Sequence, residues 1–430
     1  MSKPTREKLE GKIHVKHGFS FESAYFGDSG ELVLLTPGNF FEEGGFKRNA
    51  EKDKRYTGPF PEEYLLSKGD LLVAMTEQAE GLLGSMAFVP ESGKFLHNQR
   101  LGLVTQTSDD VSLEFIYHLF KTRWVREQIR LTSTGSKVKH TSPEMLYDVE
   151  VALPPKAEQE KIARVLNGLE DKIELNNRIN RTLEGLAKLL YEYWFVQFDF
   201  PITAAHAATM GNPHLEGKPY RASGGKILYN ETLKREIPEG WQHSTIGETF
   251  ETHLGGTPSR KKEEYWTPGE VNWLSSGENP STFVVGPDER ISNLGLQSSA
   301  AQLLPQGTVI LSIVRHLRAS ILGIEAATNQ SVVGIVETSA FKHCFIYPYL
   351  VREIPRLMAQ RTGAQQPHIN KGVLDETLFV VPDESTLEAY TSLAAPLFLQ
   401  MKNCHQQNRT LTKLRDWLLP MLMNGQVTVG

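Results

Sequence analysis

Two stretches of this chain repeat apolar positions in an alternation of four and three. In the first, the seam runs Ile162, Leu166, Leu169, Ile173, Asn176, Asn180, Leu183, Ala187, Leu190, Trp194, the heptad signature of a helix that packs along another helix. Pro154-Pro155 precedes it and Pro201 stops it, which brackets a rod of about 60 Å at roughly 1.5 Å per residue. The second seam runs Tyr390, Ala394, Leu397, Met401, Cys404, Asn408, Leu411, Arg415, Leu418, Leu422. Pro396 inside it predicts a kink or a later start, and Pro420 predicts its end. Two such seams in one chain can bury each other as an antiparallel coiled coil; the alternative is that each packs on its own domain. Asn180 and Asn408 within the seams fit either a register-fixing interior position or a solvated one.

Outside the helices the apolar runs are short and bounded by Gly or Pro. Leu32–Leu35, Leu71–Ala74, Val309–Ser312 and Phe379–Val381 read as strands, and Phe115–Ile129 and Tyr347–Met358 as helices. Mixed α and β structure follows, with the sheet order left open.

The chain also repeats itself. Asn180-Arg181-Thr182-Leu183 recurs as Asn408-Arg409-Thr410-Leu411, an offset of 408 − 180 = 228. The same offset maps Thr134-Gly135 onto Thr362-Gly363, His140 onto His368, Leu146 onto Leu374 and Pro154 onto Pro382. With a slightly larger offset, Leu65-Leu66-x-x-Gly69 matches Leu303-Leu304-x-x-Gly307, and Asn98-Gln99 matches Asn329-Gln330. The order of landmarks predicts a duplicated unit of globular domain plus helix. Small and turn-forming residues between Pro201 and Pro238 mark a linker or an ordered excursion.

The fold class expected is therefore α+β, with two mixed α/β domains in internal repeat, separated by two long helices. The domains are placed at 1–153 and 237–382, the helical segments at 154–200 and 383–430, and the linker at 201–236.

Composition narrows the function classes. The chain is 40% apolar and 23% charged, ordinary for a soluble protein, with no membrane-length apolar run and no signal-peptide core at its start. Cys344 and Cys404 are its two cysteines, too few for a disulfide framework or metal cluster, which fits a cytoplasmic protein. A net charge of −5 argues mildly against a free-standing nucleic-acid binder, so a DNA-binding surface would be local or shared with a partner. No phosphate loop, zinc helix or Cys-x-x-Cys pair occurs, nor the Asn/Asp-Pro-Pro-aromatic tetrapeptide of amino-methyltransferases. His14-x-x-His17 lacks a third ligand nearby, and Gly27-Asp28-Ser29-Gly30 reads as a turn rather than a nucleophile loop. No catalytic residue, metal ligand or cofactor site is assigned.

What remains is a set of basic and amide-bearing loops. Lys47, Arg48, Lys54 and Arg55 form one cluster, and Lys137 and Lys139 a second; Gln78, Asn98 and Gln99 lie in further turns. The second half offers Thr257, Ser259, Arg260, Arg315, Arg318, Asn329, Gln330, Gln365 and Gln366. Lys and Arg can meet phosphates, while Arg, Asn and Gln can pair with base edges. Taken singly such clusters are usually solvated surface. Their recurrence at matched places in both repeats favours DNA.

Several words resemble a known family. Leu153-Pro154-Pro155, Glu158-Gln159, Ile162, Leu169-Glu170-Asp171-Lys172-Ile173-Glu174, Asn176, and Trp194-Phe195-Val196 with Phe198-Asp199 resemble the central conserved region of type I restriction–modification specificity subunits. Ile237-Pro238-Glu239-Gly240-Trp241, Gly255-Gly256-Thr257-Pro258-Ser259 and Tyr265-Trp266 resemble the opening of that family's second target-recognition domain. Leu414-Arg415-Asp416, Leu418-Leu419-Pro420, Leu422-Met423 and Gly425 resemble its C-terminal helix. The first domain departs from the pattern: it begins at Gly11-Lys12-Ile13-His14, without a Pro-Glu-Gly-Trp opening.

The resemblance implies a non-catalytic subunit that joins two methyltransferase subunits and, for cleavage, two ATP-driven restriction subunits. Each domain would read one half of an asymmetric, bipartite site in double-stranded DNA, with the helices setting the spacer. Methyl donor and flipped adenine would belong to the partner. The alternatives are the specificity chain of a related fused restriction–methylation system and a coiled-coil scaffold that never touches DNA.

Overall fold

The computed structural model describes residues 6–48, 53–77, 80–275, 281–287, 289–361 and 368–430. The chain divides into two compact units, one of Met1–Asp171 with Leu411–Gly430, the other Lys172–Thr410.

In the first unit, strands Ile13–His17, Leu101–Gln106, Leu71–Ala74 and Met86–Phe88 form an antiparallel sheet in that order. A second sheet runs Phe26–Gly27, Lys54–Tyr56, Leu32–Leu34, Phe95–Leu96, with its last pair parallel. The apolar run 71–74 does not alternate because both of its faces are covered. Leu71 and Val73 pack into the cluster of Phe115, Ile116 and Ile129, whereas Leu72 and Ala74 pack with Val33, Leu35 and Phe95.

The second unit repeats this topology. Strands Thr252–Leu254, Val332–Ile335, Val309–Ser312 and Arg318–Leu322 form the antiparallel sheet, with Phe283–Val284 added in parallel at its edge. Glu289–Ile291, Val271–Leu274, Ala326–Thr328 and Leu303–Leu304 form the other, again with one parallel pair. The repeated words occupy matching places. Gly69 and Gly307 turn the chain into strands 71–74 and 309–312 at φ 90° and 94°, a region in which a Cβ is disfavoured. Leu65 bridges Leu96 as Leu303 pairs with Ala327. His140 closes on Thr76 as His368 bridges Val314.

The helix expected over 115–129 is two helices, Leu113–Leu119 and Arg123–Thr132. The Thr122 hydroxyl accepts from the Val125 amide at 3.4 Å, starting the second as an N-cap. The helix at 347–358 is longer, His343–Ala359, and passes through Pro348 and Pro355. Residues 201–236 are an ordered excursion, with a helix Ala204–Thr209 and strand Ile227–Asn230 paired to Arg235–Pro238.

The long helices span Lys156–Phe195 and Glu384–Met423. Neither Pro396 nor Pro420 ends the second. The flanking Tyr390, Ala394, Phe398 and Met401 are buried while Pro396 is exposed. Burial of that seam outweighs one lost backbone hydrogen bond, and Ser392, whose carbonyl is left without that bond, is an exposed residue. In each unit the two helices pair antiparallel. Ile162 and Leu166 pack with Leu422 and Met423 in the first; Trp194 meets Tyr390 in the second, at 5.5 Å between rings.

The seam asparagines are interior. Asn176 donates to Asn408 Oδ1 at 2.9 Å and Gln407 Oε1 at 3.2 Å, and Asn408 donates to Asn177 Oδ1 at 2.8 Å. These amide pairs fix register across the helices. Asn180, one turn on, is buried with neither amide atom hydrogen-bonded. Asn180→Leu should therefore raise stability by about 1–2 kcal/mol, because removing an unsatisfied buried amide recovers its desolvation cost. A lower urea midpoint in the variant would contradict this.

Candidate nucleic-acid interface

The two Asn-Gln words form the same turn. In each, the asparagine side chain accepts from the amide two residues on, Asn98 from Arg100 and Asn329 from Ser331, both at 2.9 Å. Such Asx turns present the next residues; Gln99, Arg100 and Gln330 are exposed. A glycine backs each turn. A Cβ at Gly18 would collide with the Asn98 carbonyl, and one at Gly255 with that of Asn329. Beneath the first turn His97 is buried, donating to the Leu101 carbonyl at 2.9 Å. Burial pushes its pKa down to about 4, so it is a neutral structural group and not a proton donor for chemistry.

In the first unit the turn opens onto a depression of about 120 Å³ lined by Phe21, Phe26, Leu34, Thr36, Lys54, Asn98, Gln99 and Arg100. Lys54, Asn98 and Gln99 are thus brought together, with two polar residues that sequence reasoning missed. Arg100 directly follows the Asn-Gln word, which was the available signal; nothing local marked Thr36. Tyr25, Phe26 and Phe41 are exposed rings near these cations in sequence, able to contact bases or thymine methyls.

The other first-unit candidates differ in availability. Lys47 is exposed, 5.8 Å above the Phe41 ring. Arg48 faces Asp53 at 3.5 Å and Glu91 at 3.4 Å. Arg55 donates to the Gly30 carbonyl at 2.5 Å. Lys137 is exposed in the loop before strand Lys139–His140, which pairs with Thr76–Glu77. Gln78, Gln365 and Gln366 lie outside the described residues.

In the second unit Thr257 donates to Gln330 Oε1, joining the Gly-Gly-Thr-Pro-Ser loop to the Asn-Gln turn. Arg260 is engaged on three sides: both guanidinium ends meet Glu289, at 2.5 and 3.1 Å, and its plane lies 3.6 Å over Trp266. Its hydrogen bond holds the Glu289 carboxyl below its usual range. Arg260 braces this loop in the unbound chain. Ser259 accepts from the Trp266 indole through its carbonyl at 3.2 Å, leaving its exposed hydroxyl on the surface. Arg315 and Arg318 lie on one hairpin, between strands 309–312 and 318–322. Both are exposed. Arg315 holds φ 62°, a conformation costly for a non-glycine residue and concentrated at functional loops. Its carbonyl is clamped by Arg361 at 2.9 Å.

Among the described residues no group of His, Cys, Asp or Glu could hold a metal ion, and no helix is long and apolar enough to cross a membrane. Exposed guanidinium, ammonium and amide groups on duplicated rigid turns offer recognition chemistry.

Comparison with known proteins agrees. The sequence model described as the type I restriction modification DNA specificity domain matches residues 9–185 and again 238–386. The chain belongs to the type I restriction–modification DNA specificity family, a family of recognition chains rather than catalysts. It is 26% identical over 328 residues to the Type I restriction enzyme MjaIX specificity subunit of Methanocaldococcus jannaschii, covering 75% of this chain and 70% of that one. It is 22% identical to the HindI specificity subunit of Haemophilus influenzae over 409 residues, 84% and 87% of the two chains. In fold it resembles the crystal structure of a type I S subunit from M. genitalium, with a TM-score of 0.59, 14% identity, and coverage of 97% and 96%.

Proposed function

We propose that each duplicated domain reads one half of a split, asymmetric site in double-stranded DNA. The paired helices set the spacer and dock two methyltransferase subunits, with two restriction subunits joining for cleavage. The observation that carries this reading is one topology used twice, with matched Asn-Gln turns that continue differently: an exposed Arg100 follows Gln99 in one, a half-buried Ser331 follows Gln330 in the other. A rigid frame with variable loops suits two unlike half-sites. Arg100→Ala should relax the first half-site only, and Arg315→Ala the second only. Loss of a base contact should cost about 1–3 kcal/mol at one base pair, whereas loss of a phosphate contact should weaken all sequences evenly and flatten the salt dependence. Binding of substituted duplexes by the assembled methyltransferase would measure this. A change in the opposite half-site would overturn the assignment.

The docking reading rests on exposed apolar side chains that recur at the repeat offset. Val165, Leu186 and Leu189 correspond to Leu393, Leu414 and Trp417, each by adding 228. All six are exposed on the long helices, Leu189 at 63% and Trp417 at 55%. Leu186, Leu189 and Leu393 belong to the second unit, and Leu414, Trp417 and Val165 to the first. Two similar apolar patches, one per unit, suit two copies of one partner. Leu189→Asp or Trp417→Asp should each cost one bound methyltransferase subunit, read by native mass spectrometry. Retention of both copies in both variants would refute it.

A further inference from the structure

The loop that follows strand 71–74 in the first unit, and 309–312 in the second, is ordered differently in the two. The strands correspond at an offset of 309 − 71 = 238, which carries Glu77 onto Arg315. Glu77 is buried, and its carboxylate accepts from the amides of Gly81 at 3.1 Å and Leu83 at 2.8 Å. That loop is organised around a side chain of its own. Arg126, on helix Arg123–Thr132, adds bonds from outside, to the carbonyls of Gly81 and, at 2.8 Å, Glu42.

The second unit has an exposed arginine where the first has this inward acid, so its loop is anchored otherwise. Backbone holds one flank: Ile313 donates to the Ser331 carbonyl at 2.9 Å and accepts from Ile369 at 3.1 Å, and Val314 bridges His368. Leu317 is buried on the other flank. At the tip Arg315 stands at φ 62°, which a non-glycine residue keeps only where its surroundings over-determine it. Arg361, just past helix His343–Ala359, reaches that residue. Its Nη1 donates to the Arg315 carbonyl and its Nε to the Met358 carbonyl, both at 2.9 Å. One planar fork ties the tip to the helix end. At the matching position of the first unit, 361 − 228 = 133, the Ser133 hydroxyl donates to the Arg130 carbonyl at its own helix end. Arg361 thus belongs to the second unit and not to the shared frame.

We propose that Arg361 is a positioning residue for the second domain, fixing the backbone of Arg315 so that its exposed guanidinium meets one base pair in a single geometry. The inference rests on the half-site reading, with Arg315 as a base contact. A guanidinium selects a base by two parallel hydrogen bonds, as to O6 and N7 of guanine, and these tolerate little displacement. A tip released from its fork keeps its charge and loses its selectivity.

The test is binding of the assembled methyltransferase to duplexes substituted at each base pair of the second half-site, over a series of salt concentrations. Arg315→Ala marks the base pair concerned, where discrimination should fall about five- to hundredfold. Arg361→Ala should lose discrimination at that same base pair by about fivefold or more. It should leave the other positions and the salt dependence unchanged, and add nothing in the Arg315→Ala background. Arg361→Met, which keeps the apolar stem, should behave alike and serves if alanine impairs assembly. Even weakening of all duplexes with a flatter salt dependence would make Arg361 a phosphate contact and overturn the proposal. Unchanged discrimination in Arg361→Met, or a loss that adds to that of Arg315→Ala, would also overturn it while leaving the half-site reading intact. An Arg315→Ala variant that reads the second half-site normally would instead refute Arg315 as a base contact, and the positioning role with it.

Discussion

A seven-residue insertion in both long helices, between Asp171 and Lys172 and between Thr410 and Leu411, should lengthen the preferred DNA spacer by about two to three base pairs. Both half-site sequences should stay unchanged. These junctions are where each continuous helix passes from one compact unit to the other. Seven residues are two turns of a coiled coil, so the seam keeps its face. Pairings inside each unit are preserved, because Glu170 with Arg415 falls on one side of the insertions and Asn176 with Asn408 on the other. The helices gain about 10 Å, and duplex DNA rises about 3.4 Å per base pair, which sets the upper bound of three. Methylation of a substrate series differing only in spacer length is the measurement. An unchanged optimum in a variant that folds and methylates would show that the helices are not the ruler.

The second large effect concerns a charged group holding a helix to its domain. In the first unit Glu170 meets Lys121 Nζ at 2.5 Å and accepts from the Tyr117 hydroxyl at 3.1 Å. Lys121 also lies 4.0 Å over the Tyr117 ring, and Arg415 of the second helix approaches Glu170 at 4.0 Å. Burial pushes the Lys121 ammonium down and Glu170 opposes it. Burial, the largest single influence, would raise the Glu170 carboxyl, but the charge and hydrogen bond of Lys121 together with His118 and Arg415 outweigh it and leave the group below its usual range. Glu170→Ala strands a buried ammonium and should cost about 3–5 kcal/mol. Adding Lys121→Met should restore most of that, since the stranded charge is the penalty. Chemical denaturation of the single and double variants measures both terms. A loss under about 1 kcal/mol in Glu170→Ala would place the pair among solvent-screened surface bridges instead.

The seams were legible because helix burial has a period that sequence carries locally: nearly every seam position is buried or half-buried. The duplication was legible from words whose reasons are also local, such as glycines at positive φ and Asn-Gln turns. Continuity through Pro396 was not, because it depends on burial supplied by Cys344 and its neighbours; the Tyr390 hydroxyl, for one, donates to the Cys344 carbonyl at 2.9 Å. The break at Thr122 was hidden by the apolar pattern on both sides of it. Among candidate contacts, Arg260 looked available until Glu289, 29 positions away, met it. Sequence spacing cannot report such a partner. Arg100 was passed over because it follows the Asn-Gln word without belonging to the repeated pair.

The membership of the two units has a consequence for how the chain is made. The first unit contains Leu411–Gly430 as well as the first 171 residues, and Leu422 and Met423 complete the core around Ile162 and Leu166. The second unit is contiguous, Lys172–Thr410. During synthesis from the N-terminus domains form as their residues emerge, and contacts of great sequence separation come at the highest loop-closure cost. The last residue of the second domain, Thr410, is made before the final helical turns that the first domain needs. The domain translated earliest is therefore the last to be finished, and a ribosome stalled in the closing residues would release a chain whose first domain has an uncovered core.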